Sequence, residues 1–320
     1  MSERRIGIIG AIWVLSLILT ASVAYSFSGP SQTMYISGGM YPGAVTYTIW
    51  GEDSNYYSKN AYGEIYSGGT NLSSTVQYAL NIGGRIAFAN GTYIFANPLT
   101  ASKDGTEILG SGNTIFVWPV DGTLLTITGL RVTLSHLTIV GANNNGIIQS
   151  AIKIANTSGY CELSHLDIHY FQTYPTISYA LQINVGDNVV DHCHLWSNLY
   201  AIYIGNPPSY AGCTLNKIIN SYIYCNVAGF DTIGIYIDGG AAGTRIVNNH
   251  FENFQTRIYS TSNQFWVIYN TFENDAGIND LNMTGCTNFF VCFNLFTKAV
   301  NNATLYMPYT FIHNQGYGTP

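Results

Sequence analysis

The chain has 320 residues, with 11 Lys and Arg against 17 Asp and Glu, and a formal net charge of −6. Apolar residues reach 47% and aromatic residues 14%, which excludes a disordered chain. Only 9% of residues are charged, so Tyr, Asn, Thr, Ser and Gly form most of the surface, and the basic footprint of a nucleic-acid binder is missing.

At the N-terminus, Arg4-Arg5 precede an uncharged apolar run, Ile6–Leu19, and then Ser22-Val23-Ala24. This is the layout of a signal peptide over residues 1–24. Left uncut, the run can be stretched to Tyr25, near the roughly 20 residues a span needs, and would then anchor the chain in a membrane as its only membrane contact. Either reading places the body of the protein outside the cell, at the cell surface or free. Residues 25–70 are rich in Ser, Gly and Tyr and hold one strand-like stretch, Ala44–Trp50. A short helix is expected next, with Ser73 or Ser74 as its N-cap, Thr75–Leu80 as its body and Gly83-Gly84 as its stop. Arg85–Phe95 and Ile108–Trp118 read as the first β segments.

From there one strand pattern recurs seven times. It appears at Leu134–Ile139, Leu163–Ile168, Val190–Leu195, Ile218–Ile223, Ile246–Phe251, Val267–Phe272 and Val291–Phe296. The steps between closing residues are 29, 27, 28, 28, 21 and 24. A β unit repeated at that period predicts an all-β solenoid, a right-handed single-stranded parallel β-helix over residues 71–320, with the short helix as its N-terminal cap. A second strand accompanies the first, at Leu124–Gly129, Ala151–Asn156, Ala180–Val185, Ala201–Asn206, Gly234–Gly239, Asp280–Gly285 and Thr304–Tyr309. Each is short, alternating and followed by turn residues in most copies.

The repeat turns the sequence into columns. Its fourth place reads Leu137, Leu166, Cys193, Ser221, Asn249, Asn270, Asn294. Three successive inward asparagines, roughly 4.8 Å apart, are expected to hydrogen-bond along the axis, because a buried amide is tolerated only when paired. Its third place begins with His136, His165 and His192, which predicts a stacked histidine ladder at a turn rather than a metal site.

The runs Tyr56–Gly69, Gly83–Tyr93 and Ile108–Gly112, with the helix between them, resemble the opening region of the pectate-lyase-like β-helix superfamily. Phage tailspikes and many archaeal surface proteins share that opening. The resemblance spans residues 41–320 and implies the fold; lyases, hydrolases, epimerases and inert structural proteins all use it, so it implies no single activity. Val189–Cys193 resembles the WIDHC motif of one pectate lyase family, but Leu134 and Leu163 begin the same slot, and the repeat accounts for most of the match. The proton-abstracting arginine motif of those lyases has no counterpart, since Arg131, Arg245 and Arg257 are isolated, with Arg245 and Arg257 flanking the stripe described next. The paired-Asp and Gly-His-Gly signatures of polygalacturonases are absent too.

Alternation along the strand turns the fifth and seventh places outward. Down the coils they read Thr138/Val140, Asp167/His169, His194/Trp196, Tyr222/Tyr224, His250/Glu252, Thr271/Glu273 and Leu295/Thr297. In related β-helix enzymes this outer face holds the substrate. Aromatic faces stack on sugar rings, while carboxylates and imidazoles bond hydroxyls or move protons. Asp167, His194, His250, Glu252 and Glu273 are therefore the candidate catalytic groups. His169, Trp196, Tyr222 and Tyr224 are the candidate substrate-binding groups. Glu252 and Glu273 share a column on neighbouring coils; such a pair either divides into an acid and a base or binds Ca²⁺ through its oxygens.

Six cysteines, even in number and without a CxxC pair, fit disulfides in an oxidising compartment and argue against zinc; Cys193, on the inward column, reads as a buried free thiol. Sequons at Asn71, Asn90, Asn156, Asn282 and Asn302 fit an exported, glycosylated protein. Two functions compete at this stage. One is binding, with or without cleavage, of an extracellular polysaccharide or surface glycan. The other is a non-catalytic structural or adhesive surface protein that assembles with copies of itself through open ends or Tyr-rich faces.

Overall fold

The computed structural model describes residues 45–52, 55–141, 149–171, 178–205, 213–225, 231–273, 279–283, 286, 289–296, 300–301, 310–312 and 315–316. The expected leader over residues 1–24, the Asn302 sequon, Thr297 and the expected strand Thr304–Tyr309 lie outside them.

The chain coils into a parallel β-helix, in the right-handed sense that parallel crossovers adopt. The seven repeats stack in one register. Leu134 lies beside Leu163, then Val190, Ile218, Ile246, Val267 and Val291, each pair in parallel. Both apolar columns of the repeat point into the coil, and every member of them is buried. Removing such side chains from water stabilises by about 1.5–3 kcal/mol each, which is what holds successive coils together. At the C-terminal end the closing column becomes aromatic. Phe251, Phe272 and Phe296 stack with centroids 5.0 and 4.9 Å apart.

Two sheets line the described coils. The second is a nine-stranded parallel ladder in simple chain order, from Leu99–Ala101 to Val300–Asn301. It contains a strand absent from the expected series, Thr256–Ser260, between Ile233–Ile237 and Asn279–Asn282. The pattern was hidden by Arg257, which breaks the apolar alternation because it sits inside the coil. Its guanidinium Nη1 meets Asp280 Oδ1 at 3.1 Å, and both side chains are fully buried. Arg257 therefore does not flank the outer stripe, contrary to expectation; Arg245 is exposed and lies 5.4 Å from the Trp266 ring centroid.

The first sheet is bent at the third place of the repeat. His136, His165, His192, Asn220, Asn248, Tyr269 and Phe293 all have φ between 50° and 59°. Asparagine takes this left-handed conformation readily, whereas histidine and the aromatics occupy it against their preference. From the third repeat onward, the bend divides each expected strand into two, as in Val189–Asp191 and His194–Trp196. Side chains at the bend stack outside the coil. The His136–His165 and His165–His192 rings lie 4.7 and 5.1 Å apart and nearly parallel, the ladder the sequence implied.

Inside the bend, the asparagine ladder forms as expected. Asn249 Nδ2 donates to Asn270 Oδ1 at 3.1 Å, and Asn270 Nδ2 to Asn294 Oδ1 at 3.0 Å. The same oxygens accept the backbone N–H groups of Asn249 and Asn270. A second pair, Asn188 and Asn216, repeats the device at 3.0 Å.

The N-terminal cap is larger than one helix. Val45–Glu52 pairs in parallel with Arg85–Phe88 and antiparallel with Asn55–Asn60, which pairs with Ile65–Gly69. The sheet thus begins inside the stretch that reads as an N-terminal segment. Helix α1 (Leu72–Ile82) buries Leu72, Val76, Ala79 and Leu80. Its N-cap is Asn71, not Ser73 or Ser74: Asn71 is extended and its side chain accepts from the Ser74 N–H at 3.1 Å. Gly83 (φ 82°) ends it, donating its N–H to Ala79 O. All six cysteines are free and buried, so the expected disulfides do not form; the buried free thiol read at Cys193 does occur.

Candidate glycan-binding face

The outward columns lie where alternation places them. Thr138, Asp167, His194, Tyr222, His250, Thr271 and Leu295 are consecutive register partners. So are Val140, His169, Trp196, Tyr224, Glu252 and Glu273. All nine candidate site residues therefore share one face of the first sheet. They divide into two clusters.

Asp167 organises the first cluster. Its Oδ1 accepts the Trp196 indole N–H at 2.6 Å and lies 3.0 Å from His169 Nδ1. Its Oδ2 is 3.8 Å from His194 Nδ1. Burial by itself would raise the Asp167 pKa, but the hydrogen bonds from His169, His194 and Trp196 prevail and hold it well below the usual carboxylate range. Asp167 is thus a fixed anion, suited to orienting imidazoles rather than donating a proton. The His169 ring tilts against Trp196 at 4.2 Å. Tyr170, which the strand pattern did not flag, closes the platform edge-on to His169 at 4.7 Å and Trp196 at 5.1 Å. It lies one residue past the seventh place, in a left-handed conformation (φ 66°) that alternation does not anticipate.

Tyr222 links the clusters. Its ring lies 5.1 Å from that of His194 and 4.9 Å from that of His250, and it stacks beside Tyr224 at 6.2 Å. Its hydroxyl donates to Glu252 Oε2. Burial first, then that bond and the charges of Glu252 and Glu273, push the phenol pKa up, so it stays a proton donor. In the second cluster, His250 Nε2 lies 3.3 Å from Glu273 Oε2 and 3.9 Å from Glu252 Oε2. Asn253 Nδ2 donates to Glu252 Oε1 at 3.3 Å. The imidazole thus stands within reach of both stacked carboxylates.

An open cleft of about 370 Å³ runs between this face and the bend, lined by His192, Asn220, Tyr222, Asn248, His250, Tyr269 and Thr271. Asp191 braces its floor, with its Oδ1 2.7 Å from His192 Nδ1 and accepting from Asn220 Nδ2 at 2.8 Å. The second sheet has a tyrosine column of its own, buried at Tyr203 and half-buried at Tyr236 and Tyr259. Tyr203, Tyr236 and Tyr259 are register partners with centroids 5.5 and 5.0 Å apart, and Tyr203 donates to Asp238 Oδ2 at 2.9 Å. The recurring Ile-Tyr pair in these strands is the signal that would have revealed it.

No family model matches this sequence, and no curated protein does. Solved structures do resemble it in fold. An alginate lyase from Paenibacillus sp. str. FPU-7 superposes with a TM-score of 0.53 at 16% identity, covering 77% of this chain and 93% of that one. The surface protein and adhesin PfbA of Streptococcus pneumoniae gives 0.54 at 14%, covering 78% and 83%. Identities this low establish the architecture alone.

Proposed function

We propose that this parallel β-helix binds an extracellular polysaccharide along the outer face of its first sheet. One observation carries the reading: the unbroken register from Asp167 to Glu273, which sets aromatic faces beside imidazoles and carboxylates coil after coil. An extended sugar chain needs this repeating alternation of stacking surface and hydroxyl partner. Asp167 holds His169 and His194 in place, and Tyr222 and His250 offer proton-moving groups against the bound chain. Resemblance to an alginate lyase is consistent with chemistry on that face, and resemblance to an adhesin is consistent with binding alone.

The test incubates the full chain with acidic and neutral polysaccharides, with and without Ca²⁺. Pull-down, new reducing ends and unsaturated uronate absorbance are followed together. Binding that is lost in the Trp196→Ala, Tyr224→Ala double variant supports the reading, and product formation abolished by Asp167→Asn or His250→Gln adds catalysis to it. A wild-type chain that retains no polysaccharide sinks it. The tyrosine stripe of the second sheet then favours the other reading, a surface protein assembling with copies of itself, visible as ordered arrays in electron micrographs.

A further inference from the structure

At the C-terminal end of the face, three metal-ligating side chains converge. One donor atom from each of His250, Glu252 and Glu273 lies within 4.8 Å of the others. His250 Nε2 is shielded from solvent and makes no hydrogen bond, although two carboxylates stand 3.3 and 3.9 Å away. A buried imidazole nitrogen left unbonded between two anions is costly unless something else occupies the gap. Glu252 is held by the Tyr222 hydroxyl, on the Oε2 that faces His250, and by Asn253 Nδ2 on Oε1, the kind of support that fixes a ligating carboxylate. The Glu273 side chain itself is more than half exposed.

We propose that His250, Glu252 and Glu273 bind one divalent transition-metal ion of the Zn²⁺, Mn²⁺ or Co²⁺ class. Metal–ligand bonds of about 2.0–2.2 Å put neighbouring donors of a tetrahedral site roughly 3.4 Å apart. The two His250 separations bracket that value, and the exposed Glu273 side chain is free to close the third edge. Ca²⁺, which the stacked carboxylates alone would invite, fits poorly: it takes six to eight oxygens, and here an imidazole nitrogen occupies the centre of the donor set. Imidazole with carboxylate suits transition metals instead. Three protein ligands leave coordination positions free for water or a ligand oxygen. The site stands whether or not the face binds a glycan, because the three donors meet without one.

The experiment is equilibrium dialysis of the untagged, chelator-treated full chain against Zn²⁺, Co²⁺ and Ca²⁺ separately, with visible spectra of the Co²⁺ form. One Zn²⁺ or Co²⁺ per chain is expected. His250→Gln should lower affinity by more than the roughly 10–100-fold that loss of an outer supporting group causes, and should change the Co²⁺ spectrum. Glu273→Gln, at an exposed position, should also weaken binding while leaving the fold intact. His192→Asn should change nothing, which separates this site from the histidine ladder. Absence of stoichiometric transition-metal binding overturns the proposal. So does binding that survives both His250→Gln and Glu273→Gln, binding lost in His192→Asn, or Ca²⁺ bound as tightly as Zn²⁺.

Discussion

Trp196 donates its indole N–H to Asp167 Oδ1 at 2.6 Å across one coil boundary, joining residues 29 apart in sequence. The bond ties the largest aromatic surface of the face to a firmly ionised carboxylate. The orientation of Trp196 therefore depends on the charge of Asp167, and that dependence can be measured.

Because the folded-state pKa of Asp167 lies below its unfolded value, its contribution to stability is present above the unfolded carboxylate range. It is lost as pH falls through the folded pKa. Asp167→Asn should therefore be less stable than the parent at pH 7, by about 1 kcal/mol given the partial exposure of the site. The gap should narrow on strong acidification. Urea midpoints at neutral and acidic pH, with indole fluorescence as the probe, check both halves of the expectation.

Asn270 bonds coils on both sides of it. Asn270→Ala would strip the buried Asn249 side-chain and backbone N–H groups of the Asn270 acceptor and leave Asn294 Oδ1 with the backbone N–H of residue 270 but without the Nδ2 donor. Each stranded group costs about 1–3 kcal/mol, so a loss of about 3 kcal/mol or more is expected. Denaturant midpoints should fall with little change in slope; a drop below about 1 kcal/mol would mean that the ladder is not paired as described.

Arg257 and Asp280 bury opposite charges side by side in the coil interior. Arg257→Met alone should destabilise by about 3–5 kcal/mol, since it removes the counter-charge of a buried carboxylate. Adding Asp280→Leu should recover much of that loss, because the remaining penalty is one of packing. A double variant no more stable than the single one would contradict the pairing.

The six thiols are enclosed, and burial raises those of Cys193 and Cys213 to about 12. With all six side chains buried, a thiol reagent at pH 8 should find the folded protein nearly inert. After unfolding without reductant, all six should react. Fewer than six would reveal disulfides.

The sequence by itself determined the β-helix, the register of its first sheet and the identity of the outward columns. Alternation along a strand fixes which side chains point in, and a repeat of 21 to 29 residues fixes which positions stack. The asparagine and histidine ladders were legible for the same reason. Features that depend on the close approach of distant parts of the chain were not. The strand at Thr256–Ser260 stayed hidden because its inward Arg257 makes sense only beside Asp280, which the next strand supplies. The helix cap fell to Asn71 because Ser73 is packed into the core. The left-handed bend is a backbone property shared by His, Asn, Tyr and Phe, with no common side-chain signature. Only the tertiary structure decided that Asp167 bonds three neighbours, or that His250 stands between Glu252 and Glu273, because those contacts depend on side-chain directions at neighbouring coils rather than on periodicity.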